Sequence, residues 1–142
     1  RFNYEKEKGD RTMDKFLEDN VNDRNVLFGR LLAVYDLMEQ RAMFERDENG
    51  KVKEGRTTNA RRYWNAFSSR PAKTLDTIYR NTNPYRKKLN GYQNKKFEEW
   101  TEEIMVHLAG AGFDNKPLSE MYLPAYYLQT EYMKQKLHKK EQ

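Results

Sequence analysis

The clearest hydrophobic rhythm in the chain begins after Asp23. Leu27, Leu31, Val34, Tyr35, Met38 and Ala42 recur three and four positions apart, the spacing that places side chains on one helix face. This predicts a long amphipathic helix over about 23–47. Asp23 is its N-cap, because a short side-chain oxygen there can accept from the first free N–H groups. Asp47-Glu48-Asn49-Gly50 supplies turn chemistry, so 48–57 reads as a charged loop. Upstream, 14–20 has room for a short helical turn, and 1–12 is polar and unpatterned.

Beyond the loop the same period returns four times. A helix over about 58–68 would bury Ala60, Tyr63, Trp64 and Phe67 and turn Arg61 and Arg62 away. Pro71 suits the first turn of a helix over about 70–82. At about 100° per residue, Leu75, Ile78 and Tyr79 share one face of it, and Arg70, Lys73, Thr77 and Arg80 share the opposite one. Asn83-Pro84 breaks the pattern and Asn90-Gly91 marks a turn. A helix over about 92–110 would bury Phe97, Trp100, Ile104 and Leu108, expose Glu98, Glu99, Glu102 and Glu103, and stop at Gly110-Ala111-Gly112. Ser119 would cap a last helix over about 119–139, with Leu118, Met121, Ala125, Leu128 and Tyr132 toward the core and Pro124 disturbing its start. No strand-like alternation of useful length competes. The expected fold is an all-α bundle of four to five helices, with 1–21 a polar N-terminal linker or tail and 22–142 the bundle domain.

Composition adds one qualification. Leu, Ile, Val and Phe number only 26 of 142 residues, near the level of disordered chains. Ten Tyr, six Met and two Trp make up the deficit with large, adaptable packing groups. The expectation is an ordered domain with a thin core. The absence of Cys excludes disulfides and Cys-based zinc sites and favours a reducing compartment. No apolar run is long enough to span a bilayer. The expected location is cytoplasmic, without membrane contact. The chain begins at Arg1, and Met13 is a candidate internal translation start.

Charge changes the picture more. Residues 51–96 hold thirteen basic side chains and two acids, Glu54 and Asp76, while the flanks are net acidic. A basic stretch of this length points to a polyanion, most simply nucleic acid. The candidate DNA-binding residues are Arg56, Arg61, Arg62, Arg70, Lys73, Arg80, Arg86, Lys87, Lys88, Lys95 and Lys96, with Thr77 as a neutral phosphate donor. A solvated helix face would also read this way in isolation. The near-absence of acids across the whole segment is what distinguishes it. Stacking on unpaired bases would suit Tyr85 or Tyr92, whereas Tyr63, Trp64, Phe67 and Tyr79 sit on apolar faces and read as core.

Catalytic chemistry finds no foothold in the residues. Glu98, Glu99, Glu102 and Glu103 share a helix side without a His or Asp at ligand spacing, so they read as a solvated face. His107 and His138 have no partner motif. Asp47, Glu48 and Asn49 resemble a piece of a calcium loop but lack its spacing and terminal Glu. No phosphate-cradling glycine loop, metalloprotease helix or nucleophile elbow is present. The expectation is a non-enzyme with no cofactor, no metal and no small-molecule substrate.

Three segments together resemble one family. Gly29-Arg30-Leu31-Leu32-Ala33-Val34-Tyr35 with Gln40 and Ala42 is similar to its first bundle helix. Asn59-Ala60-Arg61-Arg62-Tyr63-Trp64 with Ala66, Ser68 and Pro71 is similar to its second block, and Leu123 to Gln129 with the Tyr126-Tyr127 pair to its closing helix. The family is the C-terminal helical domain of the large subunit of type I-C CRISPR Cascade (Csd1-like), whose reading frame can also yield a separate small subunit. Pro124 and the charged loop 47–57 depart from its pattern. The resemblance implies a bundle packed on the crRNA-bound backbone subunits and the large subunit, offering basic residues to target or displaced DNA, with cleavage left to a recruited nuclease. Protein–backbone contacts of this kind stabilise opened strands while the guide reads sequence. Two other readings stay open: a purely structural bundle docked on an acidic protein surface, and a free-standing helical regulator of nucleic acid. No convincing recognition helix supports the second.

Overall fold

A computed structural model describes residues 15–43 and 57–141 of the chain, with side chains placed through His138. Most of the tail at 1–21, nearly all of the loop expected at 48–57, Arg56 and Met13 lie outside the described residues. Among those described, every regular element is helical, as the period of the apolar positions predicts. The first, α1, covers residues 15–20.

Helix α2 (Arg24–Met43) organises the molecule. Asp23 caps it as expected, its Oδ1 accepting from the N–H groups of Asn25 (2.8 Å) and Val26 (3.2 Å). The predicted amphipathic character is not what the fold uses. Every residue from Val26 to Glu39 is buried, because α2 is the central post against which α3 (Asn59–Arg62), α5 (Pro71–Thr82), α6 (Gly91–Ala111), α7 (Tyr122–Glu141) and a 3₁₀ segment (Asn83–Lys88) all pack. A helix apolar all round is buried as a matter of course. Here Arg30, Asp36 and Glu39 are buried as well, which requires a dedicated partner for each. Arg30 Nε donates to Gln129 (2.9 Å), and its other arm lies 3.6 Å from Glu103. Asp36 accepts from the Tyr126 hydroxyl. Glu39 accepts from the Asn59 backbone N–H (2.8 Å) and side-chain amide (3.1 Å). The polar residues of α2 thus bolt it to α7, α6 and α3 in turn.

The helix expected over 58–68 is broken into α3 (Asn59–Arg62) and α4 (Trp64–Phe67). Thr58 caps α3 through its hydroxyl. At Tyr63 (φ −101°, ψ 15°) the chain tightens, and Ala66 bonds back three residues to Tyr63 rather than four. The break allows Asn59 and Ala60 to bury against α2 while Trp64 and Phe67 swing toward Tyr122 of α7. Helix α5 (Pro71–Thr82) starts at its proline and buries Leu75 and Ile78, but Tyr79 is 39% exposed. Asn83-Pro84 opens a 3₁₀ segment, Asn83–Lys88, where a simple break was expected.

Asn90-Gly91 is a cap rather than a free turn: the Asn90 side chain accepts from Gln93 N–H (2.8 Å) and starts α6 (Gly91–Ala111). Phe97, Trp100, Ile104 and Leu108 are buried and the four glutamates exposed, as predicted. Gly110 lies inside this helix. The stop is Gly112, whose φ of 117° suits a residue without a Cβ. Arg24 then clamps the following loop, donating to the carbonyls of Gly112 (2.9 Å), Asp114 (2.9 Å) and Lys116 (2.7 Å) and pairing with the Asp114 carboxylate. The loop's far end is tied down where Leu118 N–H meets Ser68 O (2.7 Å).

Helix α7 (Tyr122–Glu141) begins three residues later than predicted, with Pro124 in the first turn, where backbone N–H groups need no intrahelical acceptor. Its buried face is Ala125, Tyr126, Gln129, Met133 and Leu137. Of the core positions expected there, Ala125 is buried, Leu118, Leu128 and Tyr132 are half-buried, and Met121 is 38% exposed.

Candidate nucleic-acid interface

The described part of the basic stretch, residues 57–96, contains ten Lys and Arg and a single acid, Asp76. Sequence spacing makes these cations equivalent; the fold separates them into groups. Arg70, Lys73 and Arg80 are exposed along α5, over a rise of about 15 Å. Arg70 is the residue that precedes the helix, and Lys73 stands in its first turn, which contains no acid. That is the end where the helix dipole disfavours cations, by about 0.3–1 kcal/mol each. Their placement therefore does nothing for helix stability and concentrates positive potential at one end of α5. Arg80 pairs with Asp76 at 3.0 Å, both side chains well exposed. An exposed pair of this kind is worth little, so Arg80 can exchange Asp76 for a phosphate. Thr77 is half-buried on the same helix, its hydroxyl donating to the Lys73 carbonyl (3.1 Å).

Lys87, Lys88 and Lys95 are exposed on the 3₁₀ segment and the start of α6. Lys88 lies over the Tyr85 ring (5.7 Å). Arg86 and Lys96 are turned inward. Arg86 donates to Asn94 (3.0 Å) and lies 3.6 Å from Glu98, bracing the 3₁₀ segment on α6. Lys96 covers the Trp100 ring (5.5 Å) and pairs with Glu99 (3.4 Å). Arg61 and Arg62 are both exposed but face different grooves, Arg61 toward α7 and Arg62 toward Asn81 and Tyr85.

The aromatic residues are distributed otherwise than their apolar spacing suggests. Tyr85 and Tyr92, the expected stacking platforms, are half-buried against the core. Trp64, read as core, is half-buried against it as expected and with its remaining surface lines an open cleft of about 410 Å³ with Arg61, Asn65, Tyr126 and Tyr127. Trp64 and Tyr127 each stand edge-on to Tyr126, at 5.2 Å with interplanar angles of 81° and 82°. The Tyr126 hydroxyl is held by Asp36, and burial and that carboxylate push the phenol above its usual range. One signal for this site lies in the sequence: in the Tyr126-Tyr127 pair, helical geometry sends the second ring about 100° away from the first. Tyr126 is buried and Tyr127 is 60% exposed.

The three sequence blocks now have structural roles. The first contains Gly29, where α2 passes directly against the Tyr122 backbone, and the buried Arg30, the second builds α3, α4 and the start of α5, and the third supplies Tyr126 and Gln129 to the α2–α7 seam. A family model described as CRISPR-associated protein (Cas_Csd1) matches residues 1–134. The chain belongs to the Csd1 family of CRISPR-associated proteins. Comparison with curated proteins finds no match. Membership bears out the resemblance carried by these blocks. In this Csd1-family chain, no helix among the described residues is long and apolar enough to cross a membrane.

Proposed function

We propose that this chain is a non-catalytic, small-subunit-like bundle of a type I-C Cascade, acting in antiviral defence in the cytoplasm. It packs on the crRNA-bound backbone subunits and the large subunit and holds target or displaced DNA through its phosphates, without sequence preference. The observation that carries this reading is the exposure of Arg70, Lys73 and Arg80 along α5, and of Lys87, Lys88 and Lys95 on the elements that follow it, in a stretch from 57 to 96 whose only acid is Asp76. Membership of a CRISPR-associated family supports it. Phosphate contacts made by such a row fix register on the strand and leave sequence to the guide.

The test is salt-dependent target-DNA binding by the assembled complex with Arg70, Lys73 and Arg80 all replaced by Ala. Each lost phosphate contact reduces the log–log salt slope by about 0.9 on duplex or 0.7 on single strands. The triple variant is expected to flatten the slope by about 2–3 and to bind more weakly at low salt. Unchanged affinity and slope would remove the α5 row from the DNA contact. Loss of the subunit from the complex before DNA is added would reassign the row to an acidic protein surface.

A further inference from the structure

The cleft between α3–α4 and α7 sets three chemistries side by side: aromatic rings, of which Trp64 and Tyr126 also pack on the core while Tyr127 is exposed, a guanidinium and an amide. Tyr126 forms a rigid wall, 6% exposed and anchored through its hydroxyl to Asp36. Trp64 is held edge-on to it and also packs at 6.4 Å on Tyr122. Tyr127, by contrast, projects with 60% of its surface in solvent. A tyrosine offers a large flat face with only two rotatable bonds to immobilise. Arg61 lines the same cleft, is exposed, and has no carboxylate partner among the described residues. Its charge acts on the Tyr126 phenol, opposing the rise caused by burial. Asn65 adds an exposed amide, able to donate and accept at once. An apolar side chain from a protein partner would match the rings and leave Arg61 and Asn65 unanswered. A nucleotide answers all three, with a π-face for the rings, edge atoms for the amide and a phosphate for the guanidinium. The volume of about 410 Å³ falls within the range of small-ligand sites.

We propose that this cleft receives one unpaired base of a single-stranded nucleic acid, stacked on Tyr127 beside Trp64, with Asn65 at the base edge and Arg61 at the adjoining phosphate. This rests on the DNA-contact reading above and deepens it, because a base can enter only from an unpaired strand.

The full-length protein is titrated with a short oligothymidylate and with an abasic strand of the same length, so that charge is constant and only the bases differ. Tyr127→Ala should weaken binding to oligothymidylate about 5- to 100-fold and leave the abasic strand unaffected. Tyr127→Phe, which keeps the ring, should bind like the wild type. Arg61→Ala should weaken both strands together. Equal effects of Tyr127→Ala on the two strands, or none on either, overturn the stacking assignment. If Arg70, Lys73 and Arg80 still matter in that case, the phosphate-contact reading survives without the cleft. If the wild type binds neither strand, the stacking assignment falls, while the phosphate-contact reading still rests on the salt dependence of the assembled complex. Loss of subunit assembly in Tyr127→Ala with DNA binding intact would overturn the assignment by making the cleft a protein contact.

Discussion

Tyr126 joins the two sides of this molecule, since one face of its ring lines the cleft and its hydroxyl reaches the centre of α2. Its phenol is raised above the usual range near 10, first by burial and then by the Asp36 carboxylate; Tyr35 is raised in the same direction by burial and the neighbouring Tyr79. The folded chain therefore retains these protons to higher pH than the unfolded chain. Stability contributed by the neutral phenols is full below about pH 10 and is lost as the pH rises beyond it, by up to about 1.4 kcal/mol per unit for each phenol. Urea unfolding followed from pH 8 upward should show that decline. Tyr126→Phe should be less stable at neutral pH by about 1–3 kcal/mol, because Asp36 loses its donor, and should fall less steeply in alkali. An unchanged alkaline slope in that variant would mean that Tyr126 ionises alike in folded and unfolded chains.

At the scale of elements, the crossing of α2 and α7 is the most extensive contact among the described residues. A Cβ added at Gly29 would sit 2.2 Å from the Tyr122 backbone oxygen, and backbone cannot yield as a flexible side chain would. Gly29→Ala should force the helices apart and cost about 3 kcal/mol, at the upper end of typical overpacking. The melting temperature should fall by about 10 °C for a domain of this size. A melting temperature within a degree or two of wild type would show that α7 shifts freely along α2. The same seam explains where reading the sequence succeeded and where it failed. Helix α6 follows its expected bounds almost to the residue because its buried side is purely apolar and four glutamates mark the opposite side. Helix α2 was misread as amphipathic because Arg30, Asp36 and Glu39 look like a solvent face until Gln129, Tyr126 and Asn59 arrive to meet them. The error on α7 is the reciprocal one: Gln129 is polar and completely buried, so a stripe drawn through apolar residues alone was rotated toward Leu128 and Tyr132. The cleft was hidden for a related reason, since Trp64 is apolar by type, and only the break at Tyr63 swings it out toward α7. Exposure of Lys73 and Arg80 on α5, in contrast, follows directly from helical periodicity.

For the molecule as a whole, the question is whether the basic row works by contact or by field. The chain is formally +5, and a net positive surface raises the rate of encounter with any polyanion, an effect that falls steeply with ionic strength. A residue touching phosphate does more, because its removal also hastens dissociation. Lys73 and Lys134 separate the two effects. Both are exposed lysines, one in the first turn of α5 and the other in the second half of α7, a helix that packs mainly on α2. Each substitution with Ala removes one charge, so each should slow association by a similar factor at low salt and by little near physiological salt, where the screening length is about 8 Å. Only Lys73→Ala should also raise the dissociation rate, with a several-fold loss of affinity that persists at the higher salt. Stopped-flow association and chase-initiated dissociation of labelled target DNA, each at two salt concentrations, read these quantities separately. If Lys73→Ala and Lys134→Ala both alter association alone, the α5 row steers DNA without gripping it. The grip would then have to come from groups elsewhere on the bundle, of which Lys87, Lys88 and Lys95 are the next exposed cations to replace.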